Sequence, residues 1–149
     1  MAGTTSELWY KLFWETDNYA YNNAEAKEIC SSNGGSLATL ASKNEQDFVF
    51  SNQFLDSQGW TFNDWFWIGA YSESEDSTVF KWVRGSNLQT DQTVDLSFVS
   101  WKSGYPESSS SSTHIEIRLE YNANGEPTGE WKDYNPNSSI KGALCQFRI

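Results

Sequence analysis

Several groups of residues in this chain are of types that do chemistry. The stretch WKSGYPESSSSSTHIEIRLEY, residues 101 to 121, places a Gly-Tyr-Pro-Glu turn and a serine run between a tryptophan and a cleanly alternating segment. That is the make-up of a loop built to hold something, and hard oxygen donors around Glu107 would suit a calcium ion. A second acidic group, SESED with Glu73, Glu75 and Asp76, reads either as a solvated turn or as an accessory metal site. Trp101, Tyr105 and Tyr134 carry rings able to stack on a sugar face or to seat a protein partner. Asn137-Ser138-Ser139 is the N-glycosylation sequon. His114 is the sole histidine, and no nucleophile lies beside it, so nothing recommends a catalytic triad. Carboxylate pairs for glycoside hydrolysis could be drawn anywhere from twenty acids, and an enzyme is not expected.

Cys30 and Cys145 lie far outside CxxC spacing, which disfavours zinc. One long-range bridge or a pair of buried thiols remains open on spacing alone. Ten Lys plus Arg against twenty Asp plus Glu leave a net charge of -10, which repels nucleic acid and anionic membrane surfaces. The opening MAGTTSELWYKLFWE lacks a basic head followed by an apolar run, so no signal peptide is read there, and residues 1 to 6 read as a tag or a disordered lead. No stretch approaches the ~20 apolar residues of a membrane span.

The elements that must position these groups fit one domain over residues 1 to 149, since 149 residues at 38% hydrophobic content make one core and not two. Leu8, Tyr10, Leu12 and Trp14 share one side of an alternating N-terminal strand. Asn22 and Glu25 form a capping box for a first helix that stops at Gly34-Gly35, and Ser42 with Glu45 opens a second that ends near Gly59. FWIGAY is apolar on both faces and reads as a central strand. TVFKWVRG, THIEIRLEY, GEWKDYN and GALCQFRI read as further strands. In THIEIRLEY the alternation sends Ile115, Ile117, Leu119 and Tyr121 inward and His114, Glu116, Arg118 and Glu120 outward. Glu126-Pro127 reads as turn chemistry in the hairpin before Trp131. Residues 86 to 112 form a long irregular loop, too apolar at Leu96, Phe98, Val99 and Trp101 for a linker. Early helices and later strands predict an α+β fold with two helices, small antiparallel sheets and a long irregular binding loop.

In this order the pieces resemble a C-type lectin-like domain. The resemblance rests on the helix with Ala26 and Cys30, GGSLATLASKNEQDFV, Trp67-Ile68-Gly69, FKWVRGS, Trp101 with Gly104 and Pro106, Trp131-Lys132-Asp133, and Cys145. It implies paired chain ends, a Cys30 to Cys145 disulfide and a ligand site on the long-loop face. The family's second disulfide would fall at His114 and near Pro136, where neither residue is Cys, and the first-helix tryptophan is replaced near Asn23.

Carried across residue by residue, the family's calcium-binding proline is Pro106, expected cis and flanked by Tyr105 and Glu107. The glutamate before the strand becomes Ser112, and the Asn-Asp pair becomes Lys132-Asp133. Calcium needs six to eight oxygens, and Lys132 puts an ammonium where an amide oxygen belonged. No calcium is therefore expected in the sugar-binding position, with Glu73, Glu75 and Asp76 left as the accessory candidate and no other cofactor implied. Lys132 is expected to act as an internal counter-charge for Glu107 and Asp133, or else to point to solvent. The functional expectation is a secreted or extracellular recognition module, binding carbohydrate through Tyr105, Glu107, Ser112, Lys132, Asp133 and Tyr134 without calcium. The alternative is a non-sugar domain recognising protein or an ice or mineral surface. Glycan or protein ligands are the implied partners.

Overall fold

The computed structural model describes residues 8–14, 21–40, 42–49, 51–59, 64–72, 80–82, 92–93, 101–105, 114–121 and 127–148. Strand β1 (Leu8–Trp14) is followed by helix α1 (Asn23–Ser32), strand β2 (Ser36–Leu37) and helices α2 (Lys43–Val49) and α3 (Asn52–Ser57). The remaining strands are β3 (Asp64–Tyr71), β4 (Lys81–Trp82), β5 (Gln92–Thr93), β6 (His114–Tyr121), β7 (Pro127–Tyr134) and β8 (Gly142–Arg148).

Local chemistry starts each early element. The Asn22 side chain accepts from the Glu25 backbone N–H at 2.8 Å, and Glu25 accepts from the Asn22 N–H at 3.0 Å, closing the expected capping box. Gly34, at φ 90, then takes the left-handed turn that ends α1. The second helix begins at Ser42 as expected, but Ser51 divides it into α2 and α3. The Ser51 hydroxyl donates to the Phe48 carbonyl at 2.6 Å and accepts from the Phe54 N–H at 3.1 Å, so one residue ends a helix and caps the next.

The strands expected as small sheets join into one network in the order β1-β8-β3-β4-β5. β2 also pairs with β8, and β6 pairs with both β3 and β7. β8 lies antiparallel to β1, from Leu8 opposite Arg148 to Trp14 opposite Gly142, and parallel to β3 at Phe66–Gly142 and Trp67–Ala143. Gly142 permits this crowding, because a side chain there would run into the Phe13 carbonyl and the Phe66 ring. Pro127, read from sequence as part of a turn, is instead the first residue of β7, a position where its missing N–H is tolerated.

Two apolar clusters lie on opposite faces of the central strands. The first gathers Phe66, Ile68, Ile115, Ile117, Trp131 and Leu144 with Tyr10 and Leu12 of β1 and Leu55 of α3. Trp131 is fully buried there, edge-on to Trp82 and Trp101, and its indole N–H donates to Gln46 Oε1 at 2.9 Å. That bond matters because a buried donor without a partner costs about 1 to 3 kcal/mol. The second cluster holds Ala26, Cys30, Leu37, Trp67, Ala143 and Cys145 beneath α1.

Cys30 and Cys145 are joined by a disulfide with a Cα–Cα distance of 5.5 Å, tying α1 to β8. A link across so long a loop stabilises the fold by at most about 4 to 5 kcal/mol on a chain-entropy basis. Freshly purified, non-reduced protein is expected to show no reactive thiol on denaturation, and reduction to lower its melting temperature. Two titrating thiols would contradict the bridge.

Candidate functional site

The site is assembled by the β6–β7 hairpin. Its register sets Ile115 opposite Asp133, Glu116 opposite Lys132 and Ile117 opposite Trp131. Successive strand residues point to opposite faces. Trp131 and Asp133 therefore face the first cluster, while Glu116, Lys132 and Tyr134 face the other side. There Trp67 of β3 is the direct neighbour of Glu116, and Trp65 lies two residues before it.

On that second face Lys132 Nζ lies 3.1 Å from Glu116 Oε1. The pair is deeply placed, with side chains 18% and 1% exposed. Three rings surround the ammonium, with centroids at 4.6 Å for Trp65, 4.5 Å for Tyr134 and 6.0 Å for Tyr105. Contacts of this kind are worth about 0.5 to 2 kcal/mol each, more when desolvated. Tyr105 reaches the site because its turn is fastened to β7. Lys102 N–H donates to the Trp131 carbonyl at 2.9 Å, and Tyr105 N–H to the Lys102 carbonyl at 3.0 Å.

Burial dominates the electrostatics. The Glu116 carboxyl is raised from 4.5 to about 7, chiefly by desolvation, which outweighs the opposing attraction of Lys132, with nearby Asp64 adding to the rise. His114, stacked on Tyr71 at 5.8 Å, is lowered from 6.5 to about 4 by desolvation and then by the charge of Lys27.

The structure brings Tyr105, Lys132 and Tyr134 together, but it separates Asp133 from them. Asp133 is fully buried on the opposite face, so the ion pair formed by Lys132 goes to Glu116 and not to Asp133 as expected from sequence. Glu116 was expected outward. Alternation assigns it correctly to the face away from Ile115, yet that face is covered too, by the elements that bury Trp67 and Ile140. Pro106, Glu107, Ser112, Glu73, Glu75 and Asp76 lie outside the described residues. Trp65, Asp64 and Glu116 were missed as site residues. The hairpin register, which pairs Glu116 with Lys132, was the signal that could have found Glu116; Asp64 and Trp65 come in only through the pairing of β3 with β6.

Among the described residues no group of three or more His, Cys, Asp or Glu is placed to hold a metal ion. Where the sequence resemblance implies an amide oxygen, the Lys132 ammonium stands 3.1 Å from Glu116 Oε1. The described part of that donor set does not fit a divalent cation. No helix among the described residues is long and apolar enough to cross a membrane.

This arrangement sits in a recognisable frame. The sequence profile described as "Lectin C-type domain" matches residues 19–147, and the chain belongs to that family. C-type lectin domains are recognition modules, and this one is not an enzyme. Among solved structures, herring type II antifreeze protein aligns at 15% identity over 97% of this chain and 94% of its own, with a TM-score of 0.61. The EPNH mutant of CEL-I aligns at 18% over 95% and 90%, with a TM-score of 0.63. The cow CD23 carbohydrate-recognition domain, solved in the presence of an oligosaccharide, aligns at 18% over 95% and 87%, with a TM-score of 0.58. No curated protein sequence matches significantly.

Two outcomes follow from the buried charges. Lys132→Met strands a buried carboxyl, and is expected to cost roughly 3 kcal/mol, the low end for breaking a buried pair because Glu116 can take up a proton. Glu116→Gln combined with Lys132→Met should cost less than Lys132→Met alone, measured by denaturant unfolding. The second outcome concerns pH. Glu116 binds its proton more tightly folded than unfolded, so its contribution falls as pH rises from 4.5 towards 7. His114 binds its proton less tightly folded, so its contribution rises from about 4 to 6.5. The two oppose each other. Relative to wild type, Glu116→Gln should make stability climb more steeply with pH in this window, and His114→Asn should make it climb less.

Proposed function

We propose that this domain is an extracellular carbohydrate-recognition module that works without calcium. The observation that carries the reading is the Lys132 ammonium, paired with Glu116 and ringed by Trp65, Tyr134 and Tyr105. A calcium-dependent site would present converging oxygens there. This one presents a cation, carboxyls and aromatic faces, which are the groups that hydrogen-bond sugar hydroxyls and cover the apolar face of a sugar ring. Tyr105, Lys132 and Tyr134 are the described contacts in this reading, with Asp133 a buried support; Glu107 and Ser112, outside the described residues, are the further contacts it proposes. The disulfide supports an oxidising, extracellular setting.

Solved structures sharing the fold support sugar binding in part, since they include an SPL-1 complex with GlcNAc as well as the cow CD23 domain. They also include a calcium-independent type II antifreeze protein, the relative that favours the non-sugar reading. Glycan-array binding with and without chelator decides between them. Binding is expected, and it should be unchanged by chelator. Binding lost on chelation would reject calcium independence. A blank array together with thermal hysteresis, or with capture of a protein ligand, would reject the sugar reading.

A further inference from the structure

Glu116 is 1% exposed, and only one of its oxygens is used. Oε1 meets Lys132, whereas Oε2 is buried with no hydrogen-bond partner among the described residues. An orphaned buried acceptor is costly and rare in folded proteins. Glu116 helps line a cleft of about 260 Å³, with Asp64, Trp65, Lys132, Tyr134 and Ser139.

We infer that this cleft, on the α1 side of the β3–β6–β7 sheet, is the ligand subsite and takes a single neutral polyhydroxylated ring. The inference rests on the carbohydrate reading above and gives it a place in the fold that the family-based assignment of Asp133 does not. Size limits the occupant, because drug-sized ligands fill pockets of roughly 300 to 1,000 Å³ and this cleft falls just below that range. One ring fits within the cleft itself.

The polar groups select its chemistry. Asp64 and Glu116 are acceptors, which neutral hydroxyls satisfy as donors, while the Lys132 ammonium and the Ser139 hydroxyl can donate to ring or hydroxyl oxygens. Trp65 and Tyr134 supply the apolar walls. Within this lining an acidic sugar would meet the carboxyls of Asp64 and Glu116 beside the single Lys132 ammonium, while Lys102 and Arg118 each stand 5.9 Å from the Trp65 ring. The hydroxyl reaches Oε2 when the flexible Lys132 stem shifts between its flanking rings and carries the ammonium towards the cleft mouth. Asn137 and Ser139 are both exposed in the turn after β7, so the mouth faces outward beside the sequon.

Four forms of the protein test this on a glycan array and by titration with methyl α-mannoside, methyl β-galactoside, N-acetylglucosamine and glucuronic acid, all in chelator. They are wild type, Glu116→Gln, Ser139→Trp and Asn137→Gln, each checked for folding by circular dichroism. Wild type should bind a neutral probe, and Glu116→Gln should weaken it by about tenfold, the loss typical of one hydrogen bond to a charged group. Ser139→Trp, at an exposed rim position, should block binding, and Asn137→Gln, which removes the sequon but leaves the cleft, should not alter it. Wild-type binding that survives both Glu116→Gln and Ser139→Trp overturns the cleft and leaves the carbohydrate reading standing. Preference for glucuronic acid overturns the stated chemistry. Absence of any glycan binding by folded wild type overturns the carbohydrate reading, and this inference with it.

Discussion

Strand β8 is the element on which everything else in this domain depends. Its seven residues pair with β1 on one side and with β2 and β3 elsewhere, and Cys145 in its middle is bonded to α1. Its side chains alternate between two cores, with Leu144 in the first and Ala143 and Cys145 in the second. A strand buried on both faces leaves little room for error. Gln146 is the measure of that, a fully buried amide whose oxygen accepts the Thr39 N–H at 2.9 Å and so holds the segment after β2 in place.

The two-core arrangement also explains the character of the site. A sheet with one wet face would leave Glu116 and Lys132 as an ordinary surface pair, worth little. Here the second face is roofed by α1 and the turn after β7, whose backbone is fastened to α1 through Asn23 N–H and the Pro136 carbonyl at 2.9 Å. Desolvation then governs the carboxyl. The carboxyl is pushed towards neutrality even with a cation beside it, and the cation is held by rings as much as by its partner. Position in the fold, more than residue type, sets the environment of these groups.

What could be read from the sequence follows from the range over which each feature is determined. The Asn22–Glu25 cap, the apolar β3 and the alternation of β6 are settled by neighbours a few residues apart, and each is legible. The break at Ser51 is local too, but hydroxyl caps inside an apolar helical stripe compete with a continuous helix, and periodicity alone favours the latter. Glu116 failed for a different reason. Alternation says which face a residue occupies and nothing about what covers that face, because the cover comes from other elements, Asp64 and Trp65 of β3 and Ser139 and Ile140 after β7. The partner of Lys132 likewise requires the register of a hairpin, and a shift of one residue would have brought Asp133 to the ring-lined face.

The pairing of Leu8 with Arg148 has a consequence for how the molecule comes into being. Of the described strands, the earliest is hydrogen-bonded along its whole length to the latest, so nascent β1 must wait until β8 has been synthesised before its partner leaves the ribosome. Contacts of such high order close late and make folding slow. Until then a strand bearing Trp9, Tyr10, Leu12 and Trp14 is exposed to other chains, and the period of greatest danger from aggregation falls during translation itself.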